Sequence, residues 1–229
     1  MHRVTRRLAL VAGALALTGT SALAQAQGSG MKVKKGEIPP PTASAAVTAS
    51  TTPADSLAAR TNVTATGDVV IAPMAPMTLD GWDDKHLAAH LITGDSLEIA
   101  ISNLALERSQ NAQVRDVAQF LVSEHTASMN AQKAMAQKEG YGVEAPPSDP
   151  SATHLLQVLA KLQTLTGAEF DKVWLEQQLM HHQHELSMNA QLEEKARDND
   201  LEDYIQTLKK PLQTHVDRLT SVATALGVR

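Results

Sequence analysis

The sequence predicts an all-α fold: a four-helix bundle of two antiparallel helical hairpins with a short connecting helix. Three observations lead there. From about Leu79 to the carboxyl end, apolar residues recur every three or four positions, the spacing of one buried helix face. The stretch Gly140–Pro150 breaks that rhythm with Gly and Pro. No segment alternates apolar and polar residues as a strand does.

The first long helix is expected over roughly Asp83–Ser109. Asn111 reads as the N-cap of the second, which runs to about Glu139 and stops at Gly140. Ser151–Leu165 reads as a short amphipathic helix with Leu155, Leu156, Leu159 and Leu162 on one side. Thr166-Gly-Ala-Glu169 has the form of a capping box and opens a third long helix reaching about Asp198. Asn199-Asp-Leu-Glu202 repeats that form and opens the last helix, which ends near Gly227. The short turns near Gln110 and Asp198 make each pair of long helices antiparallel neighbours.

Residues 78–229 are therefore the expected bundle, and two segments precede it. Residues 1–24 have the parts of a secretory signal peptide: Arg3, Arg6 and Arg7, an apolar run Leu8–Leu17, and Ser21-Ala-Leu-Ala24. That run is shorter than the ~20 apolar residues a membrane span needs. The expected location is periplasmic or otherwise exported, with outer-membrane association left open. Residues 25–77 are rich in Ala, Ser, Thr and Pro, without helical or strand period, and read as a disordered linker. Such a linker offers a route to association with the envelope or a membrane surface.

Composition narrows the chemistry. The chain has no Cys, so disulfides, thiolate metal sites and thiol lipidation are excluded, leaving nitrogen, oxygen and thioether ligands. The formal charge is -5, and losing the three early arginines makes the mature chain more acidic. An acidic chain with 3% aromatic residues suits neither phosphate neutralisation nor base stacking, so no nucleic-acid partner is expected. No Gly-x-Ser-x-Gly elbow and no phosphate-binding Gly loop occurs, which argues against nucleophilic catalysis.

Each long helix carries one titratable residue on its apolar line. The first line is Leu87, Leu91, Gly94, Glu98, Ile101 and Ala105; the second is Val114, Ala118, Leu121, His125 and Ser128. The third is Leu175, Leu179, His182, Leu186 and Asn189; the fourth runs from Leu201 through Leu212, His215 and Leu219 to Leu226. At ~1.5 Å per residue, Glu98 matches His125 in height within its hairpin to about one turn, as His182 matches His215. If the hairpins pack in register, the four groups form one layer. Three imidazoles and a carboxylate suit a single divalent transition metal such as Zn, Fe, Mn or Cu. A hydrogen-bonded polar layer that fixes helix register is the other reading. A ferroxidase-type di-iron centre is disfavoured, because Val122 and Leu212 stand three residues before His125 and His215, where Glu is required.

A second cluster, His181, His184 and Glu185, sits on the third long helix. His181 and Glu185 stand one turn apart, which suits a surface metal pair or simply a solvated face. Met129, Met135, Met180 and Met188 read mainly as core filling, with Cu(I) ligation as the alternative. His86, His90 and His154 have no assignable partner.

These residues carry a resemblance. Glu98, Asn111-x-x-Val114, Glu124-His125-Thr126, Thr166-Gly-Ala-Glu-Phe170-Asp171, Met180-x-His182-Gln183 and Leu212-x-x-His215 resemble the bacterial domain of unknown function 4142 family over about Leu79 to Gly227. That resemblance implies a ferritin-like bundle and an exported or outer-membrane setting, with Glu98, His125, His182 and His215 facing inward. The family tends to have Asp before the second- and third-helix histidines, where this chain has Glu124 and His181. Its Pro before the last histidine is shifted by one here, at Pro211. His181-His182 followed by Met188 is similar to the domain of unknown function 305 family, some members of which look like copper-binding proteins. The expectation is a non-enzymatic exported bundle with a metal or polar-network centre. The alternatives are a copper-binding periplasmic protein, a metal-dependent redox or stress enzyme, and an envelope interaction module with an apolar patch on the Ser151–Leu165 helix.

Overall fold

The computed structural model describes residues 69–142 and 144–228. The expected signal peptide 1–24 and linker residues 25–68 lie outside the described residues. Five helices form: α1 Asp84–Arg108, α2 Ala112–Glu139, α3 Pro150–Leu162, α4 Gly167–Lys195 and α5 Asn199–Ala225. No β-strand forms among the described residues, and none of their helices is long and apolar enough to cross a membrane.

The helix ends follow local chemistry. The Asp83 carboxylate accepts from the His86 N–H, and the His86 Nδ1 accepts from the Asp83 N–H, a capping box with His in place of Glu. Asn111 caps α2 through the Gln113 and Val114 N–H groups. Gly140 stops α2 at φ 69°, a left-handed conformation that needs Gly. Two expected caps differ. Thr166 makes no side-chain capping hydrogen bond, and Gly167 enters α4 in a left-handed conformation at φ 61°. Asp198, not Asn199, caps α5 by accepting from the Leu201 N–H at 3.0 Å. Its charge also faces the positive end of the helix dipole.

α1 packs on α2 and α4 on α5; α2–α5 and α1–α4 contacts close the four into a ring, with α3 against α1 and α4. The expected two-hairpin bundle is the observed one. Its apolar interior is split in two. One cluster holds Ile101, Ala105, Val114, Leu121, Phe170, Trp174, Leu175 and Leu219, and α3 adds Leu155, Val158 and Leu162. The other holds Trp82, Leu87, Leu91, Met188, Leu192, Leu201 and Ile205. Burying each such side chain contributes roughly 1.5–3 kcal/mol relative to exposure. Along every long helix the switch from one cluster to the other falls on polar residues: Asp95 and Glu98, His125, His181 and His182, and His215.

Leu155, Leu159 and Leu162 of α3 pack on this interior and Leu156 is half-buried, so the expected apolar patch on that helix is not an exposed one. Packing also begins before the expected boundary at 78. Ile71 packs on the first cluster, Met77 joins the second, and the Ala72 N–H donates to the Gln157 side chain at 3.0 Å.

Candidate metal centre

Between the two apolar clusters His125, His182 and His215 converge, each offering a ring nitrogen within 4.8 Å of the others. All three are buried. Their ring centroids stand 5.4 Å apart for His125 and His182, and 5.0 Å for each of these with His215.

The far nitrogens of two rings are fixed. His125 Nδ1 lies 2.7 Å from the Asp95 carboxylate, and His182 Nδ1 lies 2.8 Å from the Gln178 carbonyl. Both partners only accept, so each ring carries its hydrogen on Nδ1. The two Nε2 atoms then face each other at 3.2 Å. Two lone pairs cannot satisfy one another, so a positive species, a proton or a metal ion, belongs between them. Neither nitrogen of His215 has a hydrogen-bond partner among the described residues.

Protonation is uneven across the trio. Burial and the neighbouring His125, His215 and His181 charges hold His182 well below its usual range. Burial, then the His125 and Arg218 charges, pushes His215 down to about 3. For His125, burial also opposes charge, but the Asp95 hydrogen bond and the Glu98, Asp95 and Glu124 carboxylates together raise it. Neutral His182 and His215 have free nitrogen lone pairs for a divalent metal, whereas His125 must give up its Nε2 proton to bind one.

The trio opens onto a cavity of about 330 Å³. Exposed Glu124, Ala127 and Ala131 of α2 and Thr207 of α5 line it, so its mouth lies between those helices. Pro211 lies inside α5, where it cannot donate to the carbonyl four residues back, and it also lines the cavity. None of the methionines at 129, 135, 180 and 188 lines it, and Met188 belongs to the second apolar cluster.

Glu98, expected in the same layer, lines the cavity but turns to α4: its Oε1 accepts from Gln178 Nε2 at 3.2 Å and lies 3.6 Å from His181 Nε2. Asp95, one turn earlier, holds His125 instead. The line drawn through Gly94 and Glu98 missed it, although its spacing from Leu91 and Glu98 fits the same helical face.

The second cluster is not a surface feature. His181 is buried, because α4 packs on α5 with one face and on α1 and α3 with another. Glu185 accepts from the Ser151 hydroxyl at 2.9 Å and lies 3.8 Å from His90 Nε2. Burial raises the Glu185 carboxyl, but the His90 hydrogen bond and the His181 and His90 charges outweigh it and hold it low. His184 does not line the cavity. The three histidines without assignable partners have them: His86 with Asp83, His90 with Asp149 at 2.8 Å, and His154 with Gln177 at 3.1 Å.

Fold and site together define an all-helical bundle with a buried three-histidine centre. The chain belongs to the family described as domain of unknown function DUF4142, which matches residues 70–222. Its fold is similar to the crystal structure of a DUF305 fragment from Deinococcus radiodurans, with TM-score 0.54 and 20% identity over 62% of this chain and 94% of that one. CopM in the Cu(II)-bound form matches with TM-score 0.49 and 14% identity over 63% of this chain and 98% of that one. No curated protein matches the sequence.

Proposed function

We propose that this protein is an exported metal-binding bundle that holds one divalent transition ion through His125, His182 and His215. The facing Nε2 atoms of His125 and His182, 3.2 Å apart with both Nδ1 atoms engaged, carry this reading. His215 adds a third nitrogen from α5. A nitrogen donor set without thiolate favours Cu(II) or Zn over Mn or Fe by the usual order of divalent affinities. Three protein ligands leave a coordination position for water or a small molecule from the cavity, where a bound ion would act as a Lewis acid. Asp95 orients His125 and the Gln178 carbonyl orients His182. Export rests on the amino-terminal charge, apolar run and Ala-x-Ala pattern.

Elemental mass spectrometry of the untagged protein, beside a His125→Ala/His182→Ala double variant, tests the reading. Stoichiometric metal in the wild type and its loss in the variant are expected. No bound metal, together with no thermal shift on adding Zn, Cu, Fe or Mn, overturns it. The layer is then a hydrogen-bond network in which His125 keeps a proton and donates it to His182.

A further inference from the structure

Glu98 is 1% exposed, yet its compensation is thin. Oε1 receives one amide donor, Gln178 Nε2 at 3.2 Å, and Oε2 has no partner among the described residues. His181, 3% exposed, approaches Oε1 only to 3.6 Å, beyond hydrogen-bond range, and its Nδ1 has no partner either. A buried carboxylate normally demands two or three donors or a close counter-charge. Elsewhere in the same bundle that demand is met: one Asp149 oxygen lies 2.8 Å from His90 Nδ1 and the other accepts from the Ala152 N–H. Glu98 and His181 are thus a ligand pair on neighbouring helices, α1 and α4, both deeply buried and both undersatisfied.

Both residues line the cavity that the three imidazoles open onto. Its volume, about 330 Å³, exceeds what a single ion needs; at ~30 Å³ per water of liquid volume it holds several waters besides a metal. Four carboxylates line it, those of Asp95, Glu98, Glu124 and Glu185, and no Lys or Arg does. Of these, Glu185 accepts from the Ser151 hydroxyl at 2.9 Å, and one Asp95 oxygen lies 2.7 Å from His125 Nδ1. Asp95 Oδ2 and Glu98 Oε2 both lack a partner among the described residues, but of the two only Glu98 lies beside a second undersatisfied ligand, His181.

We propose that Glu98 and His181 hold a second, weaker divalent cation in the same cavity. This rests on the assignment of His125, His182 and His215 to the first ion. A carboxylate and an imidazole suit Zn, Mn or Fe(II), with the remaining positions filled by cavity water. The result is an asymmetric pair of sites, one of nitrogen ligands and one of mixed ligands, unlike the matched carboxylate sets of di-iron bundles. The second ion supplies Glu98 Oε2 and a His181 nitrogen with the positive partner that the fold does not.

Equilibrium dialysis of the intact, metal-stripped protein against Zn(II), with bound metal counted by elemental analysis and affinities read by calorimetry, tests the pair of sites. Wild type binds two equivalents of unequal affinity. Glu98→Gln, which keeps the side-chain volume, loses the weaker equivalent and retains the tighter one. His215→Ala instead loses or weakens the tighter one. Should Glu98→Gln fail to fold by circular dichroism, His181→Asn reads the same loss. Saturation of wild type at one equivalent, or two equivalents persisting in Glu98→Gln and His181→Asn, overturns the second site and leaves the first intact. Tight binding that survives His215→Ala counts against the three-imidazole assignment instead.

Discussion

The Asp149 carboxylate serves two helices at once: one oxygen accepts from the Ala152 N–H to cap α3, and the other lies 2.8 Å from His90 Nδ1 on α1. Through it the loop before α3 is pinned to the first hairpin. Glu185 approaches the other ring nitrogen at 3.8 Å, and the Trp82 ring meets the imidazole edge-on at 5.3 Å.

This pair sets a pH dependence. Burial lowers His90, but Asp149 and Glu185 outweigh it and raise the imidazole from its ordinary 6.5 to about 10. Below pH 6.5 folded and unfolded chains both carry the proton, and the contribution to stability is complete. As pH climbs toward about 10 only the folded state retains it, so the contribution declines and is gone above that value. His90→Gln is expected to lower the melting midpoint more at pH 6 than at pH 10. An equal or larger loss at pH 10 contradicts the assignment.

Asp95 acts on the centre through His125. Removing a carboxylate behind a metal-bound imidazole typically weakens metal affinity about 10–100-fold. Asp95→Ala is expected to reduce affinity for the tighter ion by that factor while the far-UV spectrum stays helical. Calorimetry with Zn(II) or Cu(II) reads it, and unchanged affinity would assign Asp95 a purely structural part.

Pro211 interrupts α5 one turn before His215. An interior proline costs a helix roughly 3 kcal/mol. Pro211→Ala restores a donor toward Thr207 and is expected to raise the melting midpoint by about 2 °C or more. A lower midpoint would mean that the cavity wall depends on the ring itself.

Leu219 and Leu212 lie two turns apart on α5 in different surroundings. Leu219 is fully buried in the first apolar cluster, whereas Leu212 is half-buried and faces the cavity. Leu219→Ala should cost about 2–5 kcal/mol. Leu212→Ala should cost roughly 1 kcal/mol, since its truncation enlarges space that already exists. Urea unfolding of both variants gives the order, and a reversed order would misplace the cavity.

The bundle and two members of its histidine trio were legible because α2 and α5 each bury a single line of residues. On such a helix the three-and-four spacing leaves little choice, and His125 and His215 follow from it. α4 buries two faces, so a one-line reading left His181 and Glu185 outside. Asp95 was hidden by helix rotation: Gly94 and Asp95 are adjacent, and only packing against α2 decides which of them meets His125. The His90–Asp149 pair spans 59 positions across an irregular loop, and no local pattern announces it. Asp83 with His86 escaped for a different reason, since His rarely stands in for the carboxylate of a capping box.

The polar belt between the two apolar clusters has a consequence for alignment. A bundle filled evenly with leucine tolerates one hairpin sliding past the other by a turn, because each leucine finds another. Here that slip would thrust His182 and Glu98 among hydrocarbon and strand leucines beside carboxylates. The belt therefore works as a key cut for a single position of the lock, and the chain that carries it has one register in which to close.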